Sequence, residues 1–172
     1  LEDNLKAHIL EELLIGMPAS PLRKALLDSG LGEDLAGIGL ESDLRQMFFS
    51  TGLKGIQAVD GVKVEEVISS TLRDCAEKGF DPKTVEAAVN SVEFDLRENN
   101  TGSLPRGLVL MIRALSTWLY GEDPTLLWAF ERPLDQIKAQ LQAEEPVFED
   151  MVRRYLLENS HRSTVLLSPD LE

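Results

Sequence analysis

The first residues of the chain include a pattern related to a zinc-binding helix. His8, Glu11 and Glu12 follow the order His-x-x-Glu-x, where the inverted zinc motif of peptidases has a second histidine in fifth place. On a helix His8 and Glu12 share a face and could together contact a hard cation. Glu86 or Glu93, on a later helix, would add a carboxylate. Glu in fifth place removes a neutral nitrogen ligand and adds a negative charge, so the pattern predicts ordinary helix residues rather than a working zinc site.

A second group of chemically capable side chains lies in the stretch 97–107, which reads Arg-Glu-Asn-Asn-Thr-Gly-Ser-Leu-Pro-Arg-Gly. Its charged and amide residues are Arg97, Glu98, Asn99, Asn100 and Arg106. The Asn-Asn-Thr-Gly core predicts a turn, because Asn and Gly tolerate positive φ. After it, Ser103 is the expected N-cap of a new helix and Pro105 lies in its first turn.

The plain interpretation of 97–107 is a polar connection between two core helices. A connection does not need so many charges, so we hypothesise that Arg97, Glu98 and Arg106 lock those helices to each other or to a neighbouring domain. The rival hypothesis is that the stretch contacts a substrate. We draw no catalytic residue from it.

Other catalytic patterns are missing from the sequence. No glycine-rich phosphate loop is followed by Lys-Ser/Thr, and no Cys/His set has zinc spacing. The single cysteine, Cys75, lies in an apolar helical stripe with Ile68 and Leu72, which predicts a buried structural thiol. A net charge of −13 argues against nucleic acid as a partner. No apolar run approaches the ~20 residues of a membrane span, so we expect no membrane partner.

Hydrophobic periodicity supplies the elements that must position these residues. Helices are expected over 5–15, ending at Gly16, then from Ser20-Pro21 to Gly30, from Asp60 to Gly79, and from Asp81-Pro82 to the 97–107 stretch. After that stretch, further helices are expected around 108–119, 134–141 and 148–156. A period-two pattern predicts a strand over 46–56, where Met47, Phe49, Thr51 and Leu53 share one face, and shorter strands are expected over 35–40 and 163–167.

The two helices that flank 97–107 are the most apolar of the chain. The first carries a stripe of Val85, Ala88, Val89, Val92 and Leu96. The second carries Leu108, Met111, Ile112, Leu115 and Trp118, widened by Val109, Leu110 and Leu119. We therefore expect the second helix to be buried on nearly every side.

This order of elements indicates an α+β fold. It combines an antiparallel sheet of about three strands with about seven or eight helices, as one domain over 1–168. The tail 169–172 contains Leu171-Glu172, which resembles a cloning remnant. Three strands are few for so many helices, and this suggests that strands are missing from one end.

Four runs of sequence resemble the pitrilysin (insulinase) zinc metallopeptidases, and most closely their presequence-protease branch. They are 12–32, beginning Glu-Leu-Leu-Ile-Gly-Met-Pro-Ala-Ser-Pro-Leu-Arg-Lys, then 46–56, then Gly79-Phe-Asp-Pro82, and above all 96–107. The resemblance covers nearly the whole chain. It implies a partial metallopeptidase-type α/β roll, equivalent to most of the second of four homologous domains.

In that family two bowl-like halves close around an unfolded peptide, and the zinc motif lies in the first domain. The resemblance therefore implies an inactive chamber-wall domain, whose partners are the other domains of the same polypeptide and, in the full-length enzyme, a peptide substrate. It implies zinc as the cofactor of the full-length enzyme and none in this segment. The helix of His8, Glu11 and Glu12 would be a degenerate duplicate of the zinc helix.

Two functions remain open at this stage. The first is the non-catalytic wall domain of a proteolytic hydrolase. The alternative is a stand-alone acidic module that binds basic peptides without cleaving them, as the charge of −13 allows. We expect a cytoplasmic protein, because one cysteine and no leader pattern fit a reducing compartment, although a targeting signal upstream of Leu1 is compatible with the sequence.

Overall fold

The computed structural model describes residues 1–99 and 102–169. Asn100 and Thr101, in the middle of the predicted turn, lie outside the described residues, as does most of the predicted tail. Within the described part, no helix combines the length and the apolar character needed to cross a membrane. The secondary structure is mixed helix and strand, which confirms the α+β prediction.

Helices make up most of the described chain. They are α1 (Glu2–Glu11), α2 (Pro21–Asp28), α3 (Gly61–Lys78), α4 (Pro82–Glu98), α5 (Arg106–Trp118), α6 (Glu131–Gln142) and α7 (Val147–Met151). A π-helical turn, Glu12–Gly16, continues α1, and another, Val152–Leu157, continues α7. Short 3-10 turns span Ala58–Asp60 and Leu126–Trp128.

Several predicted helix ends are confirmed. Asp81 caps α4, because its carboxylate accepts a hydrogen bond from the Thr84 backbone N–H at 3.0 Å, with Pro82 as the first helical residue. Helix α3 ends at Gly79, whose φ of 75° favours glycine. Asp60 precedes α3 as predicted, but its carboxylate pairs with Lys63 instead of capping the backbone.

Ser20 has a different role from the predicted helix cap. It does precede α2, but its side chain makes no capping bond to that helix. The hydroxyl is fully buried, donates to the Glu12 carbonyl at 2.9 Å and accepts from the Met17 N–H at 3.1 Å. Ser20 therefore closes the loop after the first π-helical turn and satisfies two backbone groups there.

The sheet consists of β1 (Asp34–Glu41) and β2 (Phe48–Lys54), paired antiparallel, among the residues that the structure describes. The register pairs Leu35 with Leu53 and Leu40 with Phe49. Between these pairs the ladder shifts in a β-bulge, where Gly37 and Gly39 have φ values of 94° and 74°. These strands confirm the predictions over 35–40 and 46–56.

The prediction of a third strand over residues 163–167 is wrong. This described segment has no regular structure and pairs with neither β1 nor β2. The Thr164 hydroxyl donates to the Glu65 carboxylate at 3.2 Å, so the segment lies beside α3 instead of the sheet. A segment forms a strand only where a neighbouring strand accepts its backbone hydrogen bonds, and the described sheet offers none at this place.

One hydrophobic core joins all the helices except α5. Helix α1 packs on α4 and α6, whereas α3 packs on α2, α7 and the second π-helical turn. The strands lie against α1, α2 and α3. The largest fully buried apolar side chains are Ile9, Leu13, Leu14, Leu22, Leu26, Leu134, Ile137, Phe148 and Val152. The stripe of α4 contributes Ala88 and Val89 to the same core, as predicted.

Helix α5 contradicts its prediction. None of its residues, all of them described, is buried, and most of the residues expected to face a core are exposed: Leu108, Met111, Ile112, Trp118 and Leu119. Leu115, Val109 and Leu110 are half-buried. The helix begins at Arg106 with Pro105 in the N-cap position, so Ser103 is not the cap. The physical reason is topological: no described element covers the apolar side of α5. The main packing contact of the helix is with the 3-10 turn Leu126–Trp128.

Candidate functional site

The degenerate zinc motif is placed on the last turns of α1. The His8 Nδ1 atom lies 3.9 Å from a carboxylate oxygen of Glu11. Burial lowers the pKa of His8 below its ordinary 6.5; nearby Asp43 acts in the opposite direction and Arg113 lowers the pKa further. His8 is therefore a neutral imidazole at pH 7, as a metal ligand must be, so the rest of the motif decides whether a metal fits.

Glu11 is held by the bulged strand. Its carboxylate accepts the Leu40 backbone N–H at 2.9 Å. A Cβ at Gly39 would lie 2.0 Å from the same carboxylate, and the φ of 74° already disfavours other residues there. Burial raises the pKa of Glu11, while the Leu40 N–H lowers it. The carboxylate that would activate water in an intact motif joins α1 to β1 instead.

Glu12 points towards α4. One of its carboxylate oxygens accepts a hydrogen bond from the Ser91 hydroxyl at 3.3 Å. Glu86 is exposed on α4, and Glu93 forms ion pairs of its own, so neither joins His8 and Glu12. No group of three metal-ligating side chains exists among residues 1–99 and 102–169. These residues do not fit a zinc ion, because their carboxylates are engaged with separate elements.

The junction after α4 is held by an ion-pair cluster. Arg97 donates two hydrogen bonds to one oxygen of Glu93, at 3.0 and 2.7 Å, and the other oxygen binds Lys138 of α6. The Arg97 guanidinium also lies 5.9 Å from the centre of the Phe130 ring. The hydrogen bond from Lys138, and then that from Arg97, lower the pKa of Glu93. The cluster ties α4 to α6.

A separate hydrogen bond connects the end of α4 to α5. Asn99 adopts the left-handed conformation, with φ 49° and ψ 45°, and its amide oxygen accepts from Arg113 at 2.7 Å. Glu98 and Arg106 are exposed at the two ends of the junction. The lock that we hypothesised for Arg97, Glu98 and Arg106 stays a prediction, and Asn100 lies outside the described residues.

Three partners in these contacts were missed by sequence reasoning. Ser91 and Lys138 belong to ordinary amphipathic helices, where nothing distinguishes them from solvated residues. Arg113 did carry a signal, because it is the one charged residue inside the apolar run 107–120. A lone charge in such a run usually has a partner, since leaving it unpaired near apolar surface is costly.

Cys75 is confirmed as a buried thiol. It lies in the core side of α3, and burial raises its pKa to about 11, with Asp74 and Glu149 acting in the same direction. A thiol with this pKa is almost fully protonated at neutral pH, and the thiolate is the nucleophilic form. Cys75 is therefore a structural residue.

Comparison with known proteins extends this picture. Residues 1–92 match the family described as peptidase M16 inactive domain. The chain is 47% identical to presequence protease 1, chloroplastic/mitochondrial, of Arabidopsis thaliana, over 100% of the chain and 16% of that protein. It is 36% identical to protein HypA of Clostridium perfringens, over 98% of the chain and 17% of that protein. It is 31% identical to a mitochondrial presequence protease of Xenopus laevis, over 94% of the chain and 16% of that protein. The chain thus spans about one sixth of the length of these relatives.

Proposed function

Because the chain belongs to the peptidase M16 family, in its presequence-protease-like branch, we propose that it forms a non-catalytic wall domain of a larger peptidase. The active site then lies on another part of the same polypeptide. In this proposal the chain contributes shape and surface to a chamber, and the residues on α1 that correspond to a metal motif serve the fold.

The observation that carries the proposal is the position of the Glu11 carboxylate. A general base in a zinc peptidase needs a carboxylate that is free to take a proton from a metal-bound water. Glu11 instead accepts the Leu40 N–H and lies against Gly39. Glu12 stands where the motif has its second histidine, and its carboxylate accepts a hydrogen bond from the Ser91 hydroxyl. Both carboxylates stabilise contacts between α1 and its neighbours, which is what an inactive domain requires.

We extend the proposal to the whole enzyme. Two of these relatives are called presequence proteases, and on that basis the full-length protein is proposed to be a zinc metalloendopeptidase that degrades unfolded peptides. The net charge of −13 supports a chamber wall that attracts cationic peptides by long-range electrostatics. Zinc would be held by residues outside this chain.

The test uses the full-length protein and two substitutions in the degenerate motif, His8→Ala and Glu11→Gln. Both variants are expected to retain the zinc content and the peptide turnover of the unsubstituted protein. Metal analysis of the purified proteins and cleavage of an unstructured peptide measure the two quantities. Loss of a zinc ion from either variant would show that the motif binds metal and would overturn the proposal.

The acidic binding module remains the second candidate, because the charge of −13 also favours basic peptides without any catalysis. The surface offers limited support: the groove between α1 and α7 places Asp3 and Asp150 beside Lys6 and Arg154, so its charge is mixed. A natural protein of about the length of this chain that binds a basic peptide without cleaving it would favour this candidate over the wall domain.

The compartment is likewise a proposal. The sequence predicts the cytoplasm, whereas the names of the eukaryotic relatives place those proteins in mitochondria or chloroplasts. Fractionation of cells that express the full-length protein, followed by detection with an antibody against this domain, distinguishes the two locations.

A further inference from the structure

Helix α5 presents an apolar face to solvent. The α5 apolar face consists of Leu108, Met111, Ile112, Leu115 and Leu119, which follow one another at helical spacing; Leu115 is half-buried and the other four are exposed. Met111 is 52% exposed and Leu119 is 74% exposed, and Trp118 at the flank is 64% exposed. Single exposed apolar residues are normal on protein surfaces, but a continuous row along one helix face marks an interaction surface.

The orientation of α5 is fixed by its opposite side. Arg113 projects from that side and donates to the Asn99 amide oxygen at 2.7 Å. Ser116 and Thr117, near it on the helix, are half-buried and donate to backbone carbonyls, Thr117 to Asp123 in the following turn. The side of α5 that carries Arg113 therefore faces the end of α4, and the exposed residues of the apolar face lie on the outside. This is the reverse of the arrangement expected for an amphipathic helix on a complete globular protein.

We propose that the α5 apolar face is the docking surface for another domain of the same polypeptide. The proposal rests on the proposed function, because it requires the chain to be part of a larger peptidase. The relatives are about six times as long as this chain, so most of their length lies outside it and is available to cover the face. An intramolecular partner also needs no stoichiometric second protein.

Two other occupants are less well supported. A second copy of the chain would have to reach α5 in a protein about six times as long, where other domains compete for the same surface at high effective concentration. A basic peptide substrate would be attracted by carboxylates, and the α5 apolar face contains none.

The experiment measures methionine oxidation by dilute hydrogen peroxide in the full-length protein, with mass spectrometry of the peptides. Met17 and Met151 pack against the core in this structure and provide internal references, whereas Met111 is exposed. If another domain covers the α5 apolar face, Met111 oxidises as slowly as Met17 and Met151, without peptide and at every protein concentration tested. This outcome supports the proposal.

Three other outcomes overturn it. Fast oxidation of Met111 under all conditions means that the face stays in solvent. Protection that grows with protein concentration identifies a second copy, and protection that needs an added unstructured peptide identifies substrate. None of these outcomes affects the zinc measurement on the His8 and Glu11 variants, so failure of the docking proposal is distinguishable from failure of the proposed function.

A matched pair of variants gives an independent readout. Ile112→Glu introduces a carboxylate on the α5 apolar face, and Val59→Glu introduces one at a more exposed apolar residue outside α5. In the full-length protein, Ile112→Glu is expected to lower the melting temperature by several degrees and to accelerate Met111 oxidation, since an unpaired charge at a buried interface is costly. Val59→Glu is expected to change neither. Equal, small effects of the two substitutions would argue against docking at α5.

Discussion

The Glu11 carboxylate lies 2.9 Å from the Leu40 backbone nitrogen and so connects α1 to the bulged strand β1. The bulge makes this contact possible, because Gly39 leaves room for the carboxylate where any Cβ would collide with it. A residue in a catalytic-looking position thus acts as a link between a helix and a sheet. The contact also gives the degenerate motif a measurable contribution to stability.

For Glu11 we expect opposite effects from two substitutions. Glu11→Ala leaves the Leu40 N–H without its acceptor and is expected to lower the free energy of unfolding by ~1–2 kcal/mol.

Glu11→Gln keeps an acceptor oxygen without a charge. Burial raises the folded-state pKa of Glu11 above its ordinary 4.5, so protonation of this carboxyl favours the folded state. The resulting gain in the free energy of unfolding is complete below pH 4.5 and is lost as the pH rises through the raised pKa. Glu11→Gln should therefore be at least as stable as the unsubstituted protein at pH 7. Urea unfolding measures both, with Glu66→Ala on an exposed position of α3 as the control.

Ser20 and Ser103 are expected to respond differently to loss of the hydroxyl. Ser20→Ala leaves the Glu12 carbonyl and the Met17 N–H without a partner in a buried place, which should cost ~1–3 kcal/mol. Ser103→Ala removes an exposed hydroxyl that caps no helix, and a change within ~0.5 kcal/mol is expected. Thermal melts of the two variants side by side make the comparison. A larger loss for Ser103→Ala would restore it as the cap of α5.

The Glu93 cluster should make stability depend on acid pH. Hydrogen bonds from Lys138 and Arg97 hold the pKa of Glu93 below its ordinary 4.5. The stability from this group is therefore present above pH 4.5 and is lost as the pH falls through the lower folded-state value. Glu93→Gln is expected to flatten the pH dependence of the melting temperature below pH 4.5, whereas Glu86→Gln, on an exposed position of the same helix, should leave it unchanged. Identical pH profiles for all three proteins would remove the cluster from the list of stabilising contacts.

Cys75 should be unreactive in the folded protein. Its pKa of about 11 leaves almost no thiolate at pH 7, and burial blocks the approach of a reagent. We expect labelling by a water-soluble disulfide reagent to proceed only as fast as the protein unfolds, and to become rapid in denaturant. Because burial raises this pKa above 9.0, stability should also decline as the pH rises from about 9 towards 11. Fast labelling without denaturant would contradict the buried position.

The Asn99 and Arg113 pair is suited to a double-mutant cycle. Asn99→Ala and Arg113→Ala each remove one side of the 2.7 Å hydrogen bond, and the double variant removes both. We expect a coupling energy of ~1 kcal/mol from the pair. Arg106→Ala, at an exposed residue of the same helix, serves as the control and should couple to Asn99 by less than ~0.5 kcal/mol. A stronger coupling for Arg106 would favour the predicted lock of Arg97, Glu98 and Arg106.

Local signals in the sequence were enough for most helices and for two strands. Asp81-Pro82 and Gly79 predicted helix ends correctly, because capping and positive φ depend on a few neighbouring residues. The alternation over 46–56 likewise predicted β2. Such signals depend on local geometry and need no knowledge of the rest of the fold.

The failures concern elements whose structure depends on what lies beside them. Residues 163–167 are predicted as a strand from the local sequence alone, but a strand needs a neighbour for its hydrogen bonds. Helix α5 has the composition of a buried helix, but burial requires a covering element, and none is described. For the candidate site, the sequence identified Glu11 and Glu93 by type but not their partners Leu40 and Lys138, because contacts between distant residues have no short-range signature.

Because α5 lies outside the core, the residues that fold the domain are different from those that α5 exposes for contacts with a partner. No described residue between 102 and 129 is buried, so the body of the domain can reach its native packing before this segment finds any partner. Regions with few buried apolar contacts open locally at a much smaller free-energy cost than the core does. Substitutions on the α5 apolar face should therefore leave the folding of the domain nearly untouched and alter how the complete polypeptide assembles.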